Sequence, residues 1–133
     1  MCKSPLHSFL RALPKCEHHI HLEGSLEPEL LFELAAKNNI ALPASEDPAF
    51  ESVVSLKSRY QHFKNLDDFL GYYYIGMSAL VDGSDFESLA FTYFSKAASQ
   101  GVRHAEVFFD PQAHTSRGIK LDTLVVCTKP SCP

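Results

Sequence analysis

The chain has 133 residues, 45% hydrophobic and 21% charged, the values of a folded globular chain rather than a disordered one. Twelve Lys and Arg against sixteen Asp and Glu leave a formal charge of −4 with no block of like charges, which argues against a nucleic-acid partner or an anionic membrane surface. No apolar run reaches the length of a membrane span, so no membrane partner is expected, and nothing in the composition sets an oligomeric state.

Residues 1–12 read as a short solvated leader. Met1 to His7 lacks the apolar stretch and cleavage site of a secretory signal, and Lys3, Arg11 and Lys15 are too few for an organelle presequence. The expected location is the cytosol, with the nucleus as a second compartment. Cys2, Cys16, Cys127 and Cys132 are too scattered for a disulfide framework, so reduced thiols are expected. Cys127 and Cys132 alone make only a weak metal pair.

Cys16 to Leu22 is the first strand candidate. A helix follows, with Pro28 suited to its first turn, Glu27 and Glu29 to its positive end, and Leu30, Leu31, Leu34 and Ala35 at helical spacing until Asn38-Asn39. Residues 40–54 read as a loop and Ser55 to Lys64 as a short helix. From Asp67 another helix carries Phe69, Leu70, Tyr73, Tyr74, Met77 and Leu80 as an apolar stripe, read as core in preference to a stacking platform. Ser84 to Gln100 is the best-specified helix: Ser84 and Glu87 suggest a capping box, Phe86, Leu89, Ala90, Tyr93, Phe94, Ala97 and Ala98 a buried face, and Gly101 the C-terminal cap. Val102 to Phe109 then reads as a second strand, stopped by Asp110-Pro111. Strand, helices, strand implies a parallel crossover rather than a hairpin. Leu121 to Val126 suits either a helix start or a strand.

Chemistry concentrates in Cys16-Glu17-His18-His19-Ile20-His21-Leu22-Glu23-Gly24-Ser25. On a strand, His19 and His21 point to one face and His18 and Ile20 to the other. Two imidazoles side by side suit a divalent ion such as zinc, although strand histidines also occur half-exposed without any metal. Their place at the C-terminal end of a strand, before a turn and a helix, is where barrel enzymes carry their chemistry.

Pro14-Lys15-x-Glu17-x-His19-x-His21-Leu22-Glu23-Gly24-Ser25 resembles the opening signature of the adenosine/adenine deaminase family, zinc hydrolases built on a (β/α)8 barrel. Asn65-Leu66-Asp67-Asp68-Phe69-Leu70 and Ala105-Glu106-Val107-Phe108-Phe109-Asp110-Pro111-Gln112-Ala113-His114 continue the likeness, most closely to the fungal and bacterial adenine deaminases. It covers about residues 13–124, leaving 125–133 as an atypical tail. The fold implied is the N-terminal part of an α/β barrel, two strands long with a helix-rich insertion between them.

By that resemblance His19 and His21 are the first two ligands of one Zn2+, and Glu23 contacts the substrate near the ribose site. Adenosine deaminases usually carry Asp there and the adenine deaminase branch Glu, whose extra methylene occupies ribose space and can accept an N–H of the free base. Glu23 also suits the positive end of the following helix, and the two roles are compatible. The reaction implied is hydrolytic deamination of adenine to hypoxanthine with release of ammonia, in purine salvage. Zinc would lower the pKa of a bound water for attack at C6. Gly24 is expected to permit a tight turn, Lys15 and Glu17 to support the fold, and His104 and Glu106 to be structural. His62 and His114 are expected at the surface, His114 on the rim of the site.

The family's remaining ligands and acid glutamate come from later strands, so no catalytic residue is assigned within this sequence. A barrel needs about 200 residues or more. The break near Val125 therefore reads as an early end to a longer gene, and a truncated chain as inactive. The alternatives are an adenosine deaminase and a noncatalytic small domain.

Overall fold

The computed structural model describes residues 4–127. Helix α1 (His7–Ala12) comes first, exposed along its length. In and just past the segment read as a short solvated leader, Leu6, Phe9, Leu10 and Leu13 recur at helical spacing and are open to solvent. Strand β1 (Lys15–His21) follows, then one 3-10 turn (Leu22–Ser25). Helix α2 (Pro28–Lys37) starts with proline at its first position and stops at Asn38, with Asn39 in the left-handed region at φ 55°. The 40–54 loop contains a 3-10 turn (Pro48–Glu51), after which come α3 (Val53–Arg59), α4 (Leu66–Ser78) and α5 (Gly83–Ser99). Strand β2 (Val102–Phe108) leads to α6 (Pro111–Thr115) and α7 (Leu121–Cys127), so the segment left open between helix and strand is helical. Among the described residues no helix is long and apolar enough to cross a membrane.

The two strands pair in parallel, Lys15 opposite Val102 and His21 opposite Phe108, as the crossover order requires. Ile20, Val102, Ala105 and Val107 turn one sheet face toward the helices, where Leu31, Leu56, Leu80 and Leu89 are fully buried. The other face carries Cys16, His18, His21, His104, Glu106 and Phe108, all exposed. The Cys16 thiol is free; Cys2 and Cys132 lie outside the described residues, as does most of the 125–133 tail.

Three local readings are corrected. The α5 capping box is made by Asp82 and Asp85, not Ser84 and Glu87: Asp82 accepts from the Ser84 and Asp85 N–H groups, so the helix begins earlier. The buried face of α4 is Tyr72, Gly76 and Met77, while Phe69 and Tyr74 are exposed. Gly24 has no positive φ, and a Cβ there would meet Tyr73 Cε2 at 3.7 Å, an ordinary contact, so no tight turn demands it.

Gly101 does carry the left-handed cap, at φ 83°. Its carbonyl accepts from the Lys15 N–H at 3.0 Å, while Lys15 Nζ bonds the Gln100 and Leu13 carbonyls, which ties the end of α5 to the start of β1. A Cβ would stand 3.3 Å from Lys15 Nζ. Gly101→Ala is therefore expected to cost about 1–2 kcal/mol, read as a lowered urea midpoint with unchanged slope. Glu17, the other expected support, accepts from the Tyr93 hydroxyl at 2.6 Å; burial first, then this bond, pushes the Tyr93 phenol up to about 12.

Candidate functional site

His19 and His21 do come together, by a different route from simple alternation. His19 sits at φ 62°, in the left-handed region that non-glycine residues rarely enter, and the β1–β2 register slips between Glu17 and Ile20. The irregularity puts His18 and His19 both on the exposed side, whereas Ile20 turns inward. His18 thus does not share a face with Ile20; its Nδ1 meets Glu106 Oε2 at 3.1 Å. The His19 and His21 rings stack with centroids 5.3 Å apart, and Phe108 lies 4.7 Å from His19 and 6.1 Å from His21.

These rings border an open cleft of about 450 Å³, with Phe69, Tyr73, Tyr74 and Asp110 on its other walls. The α4 aromatics expected in the core, Phe69, Tyr73 and Tyr74, thus border the cleft instead, and the buried aromatic of α4 is one outside the expected stripe. Tyr72 stacks on Phe50 inside, and Tyr73 faces the cleft.

Asp110 is the hub. Its Oδ1 accepts from His21 Nδ1 at 3.0 Å, its Oδ2 accepts from the Tyr73 hydroxyl at 2.6 Å, and its own N–H donates to Glu23 Oε1 at 2.8 Å. With its proton on Nδ1, the His21 imidazole leaves Nε2 as its free lone pair. Burial first, and then the bond to Asp110, drive the Tyr73 phenol far above its ordinary value, so it remains a donor.

Glu23 is buried, 4% exposed, in the turn after β1. His114 is fully buried beside it, which overturns its expected place on the site rim. Arg117 Nη2 donates to His114 Nδ1 at 2.8 Å, and a guanidinium can only donate. The His114 proton therefore lies on Nε2 and is donated to Glu23 Oε1 at 2.9 Å. His114 is drawn inward because Glu23 and Arg117 each need the complementary side of one neutral imidazole. The second Glu23 oxygen, Oε2, is buried with no hydrogen-bond partner among the described residues.

His62 is exposed, as expected, and its Nδ1 lies 2.8 Å from the Ser58 carbonyl. His104 stays exposed 3.8 Å from Glu106. Sequence reading missed Asp110, Tyr73 and Arg117. An acidic residue closing a strand just before a proline-led helix, in the position where barrels place their chemistry, was the available signal for Asp110.

The chemistry of the donors suits zinc as far as it goes: two adjacent imidazoles, one already oriented by a carboxylate. No group of three or more His, Cys, Asp or Glu among the described residues is arranged to hold a metal.

The family model described as adenosine deaminase matches residues 14–132. This chain belongs to the adenosine deaminase family. It is 62% identical over 125 residues to the adenine deaminase of Gibberella zeae, covering 94% of this chain and 35% of that one. The adenine deaminase of Schizosaccharomyces pombe is 58% identical over 132 residues, 99% of this chain and 36% of that one. The solved adenine deaminase of Arthrobacter aurescens matches with a TM-score of 0.78 at 44% identity, over 88% of this chain and 34% of that chain. An amidohydrolase from Burkhoderia ambifaria, solved with bound Zn, shares the fold at 24% identity and a TM-score of 0.71, over 96% of this chain and 34% of that chain. The chain spans about a third of the length of the curated relatives it matches. Its parallel β1–β2 pair and intervening helices correspond to part of an adenine deaminase barrel.

Proposed function

We propose that this chain carries the opening part of the site of a zinc-dependent aminohydrolase that converts adenine to hypoxanthine and ammonia in purine salvage, in the cytosol and nucleus. The observation that carries the choice of adenine is Glu23, held rigidly by the Asp110 N–H and His114 with Oε2 buried and unpartnered. A buried carboxylate oxygen without a donor is costly, and an N–H of a purine base relieves that cost. Names of the fungal and bacterial relatives support the same substrate.

His19 and His21 would hold the zinc, which when bound lowers the pKa of a water to near neutrality. Asp110 Oδ1 lies 3.0 Å from His21 Nδ1, beside the proposed ligand pair. Glu23 would accept the base N–H and fill space a ribose would need. Tyr73 and Phe69 line the cleft beside the two histidines.

Ammonia release from adenine and adenosine, measured on the complete gene product, tests the reading; faster turnover of adenosine would sink the Glu23 argument. His19→Ala and His21→Ala are each expected to strip zinc from about one ion per chain, by mass spectrometry of the dialysed protein, because a catalytic site needs three protein ligands. The isolated 133-residue chain is expected to show weak zinc binding and no deamination. Tight one-to-one retention with turnover would overturn that expectation.

A further inference from the structure

We propose that Asp110 and Tyr73 are positioning residues for His21: the pair fixes which imidazole nitrogen is offered to a metal. This rests on the reading of His19 and His21 as zinc ligands. An isolated hydrogen bond between half-exposed groups orients little, and the His21 and Asp110 side chains are 43% and 34% exposed. Here the carboxylate cannot swing. Tyr73 holds Oδ2 at 2.6 Å from α4, and the Asp110 N–H is anchored on Glu23 at 2.8 Å from the turn after β1. Pro111 then commits the chain to α6. Three separate segments thus fix Oδ1 where His21 Nδ1 lies 3.0 Å away.

The ring is also confined. His19 stacks at 5.3 Å on β1 and Phe108 lies 6.1 Å away on β2, so rotation about χ2 would break two ring contacts and the carboxylate bond together. A histidine whose Nδ1–H is held by a carboxylate is locked in one tautomer and one orientation, and its Nε2 becomes a better donor. Tyr73 acts through Asp110 and touches neither nitrogen. Its contribution is to keep the second carboxylate oxygen engaged and the first aimed.

The test uses the complete gene product labelled with 15N-histidine, freed of metal, and compares wild type with Asp110→Ala, Asp110→Asn and Tyr73→Phe. Wild-type His21, assigned by its loss in His21→Gln, is expected to show a protonated Nδ1 and an unprotonated Nε2. Asp110→Ala is expected to lose that tautomer and to weaken equilibrium zinc binding about 10–100-fold. Asp110→Asn, whose amide oxygen still accepts, is expected to keep the tautomer and lose less affinity, and Tyr73→Phe to do the same. An unchanged His21 tautomer in Asp110→Ala would overturn the positioning role even if zinc affinity fell, because the fall would then be structural. A shifted tautomer with zinc binding untouched in Asp110→Ala, His19→Ala and His21→Ala alike would overturn the metal reading instead. The Asn and Phe variants keep shape and so guard against simple misfolding.

Discussion

Asp85→Ala is expected to lower the unfolding free energy by about 3 kcal/mol, the size found when one partner of a buried charged network is removed. The Asp85 side chain has no exposed surface. Its Oδ2 accepts from the Val81 N–H at 2.9 Å, the Asp82 N–H at 3.0 Å and Asn38 Nδ2 at 2.8 Å, while Oδ1 accepts from Lys37 Nζ at 2.6 Å. One carboxylate therefore closes the N-terminus of α5 and binds it to the C-terminus of α2. Alanine leaves the Val81 and Asp82 N–H groups without this acceptor and removes one bond from each of Lys37 and Asn38 across to α5. Urea unfolding followed by far-UV circular dichroism measures the loss; a decrease under 1 kcal/mol would show that water replaces the carboxylate.

The same network sets an acid limit. Burial alone would raise the Asp85 carboxyl, but the Asp82 N–H, Lys37, the Val81 N–H and Asn38 outweigh it and hold the group below its ordinary 3.8. Asp82 is lowered too, chiefly by Ser84, and Asp47 by the Tyr72 hydroxyl. A depressed folded value means stability that is complete above the ordinary carboxylate pKa and lost as pH falls through the folded values. Lys37 is shifted the opposite way, raised chiefly by Asp85, so its contribution is present below 10.5 and lost as pH rises through its folded value. Urea midpoints are therefore expected to be flat near neutrality and to fall below about pH 4, with a shallower fall in Asp85→Asn.

What the sequence showed plainly was periodicity and local punctuation. Leu31, Leu34, Phe86, Leu89 and Tyr93 lie in the core because repeats of three and four residues leave a helix only one apolar face. The parallel pairing followed from having helices between two strands. The site was legible only as His19-x-His21, and even there the backbone takes another path: no residue pattern announces φ 62° at a histidine. The hub at Asp110 was hidden for a different reason. It joins His21, Tyr73 and Glu23, which lie 89, 37 and 87 positions away, and no helical or strand period spans such distances. Burial of His114 was equally nonlocal, since a histidine in a short polar stretch normally faces solvent.

His114→Phe is expected to cost about 3 kcal/mol, although it keeps an aromatic ring edge-to-face with Phe86, now 4.8 Å away. What phenylalanine removes is a pair of opposite roles. It cannot donate to Glu23 Oε1, so the buried carboxylate keeps only the Asp110 N–H. It cannot accept from Arg117 Nη2 either, and that guanidinium also holds the Met77 and Leu80 carbonyls at 3.0 and 3.1 Å, at the end of α4. The two N–H groups of Nη2 keep those carbonyls as acceptors, so the larger share of the cost falls on the buried Glu23 carboxylate. Glutamine at position 114 restores both roles in one side chain, an amide N–H for Glu23 and an amide oxygen for Arg117, and is expected to recover at least half of the loss. If the two variants were equally unstable, packing rather than hydrogen bonding would govern the site. On the proposed reading of Glu23 as acceptor of the base N–H, KM of the complete gene product for adenine is expected to rise in His114→Phe and to return toward wild type in His114→Gln, because His114 and the Asp110 N–H together hold Glu23 Oε1.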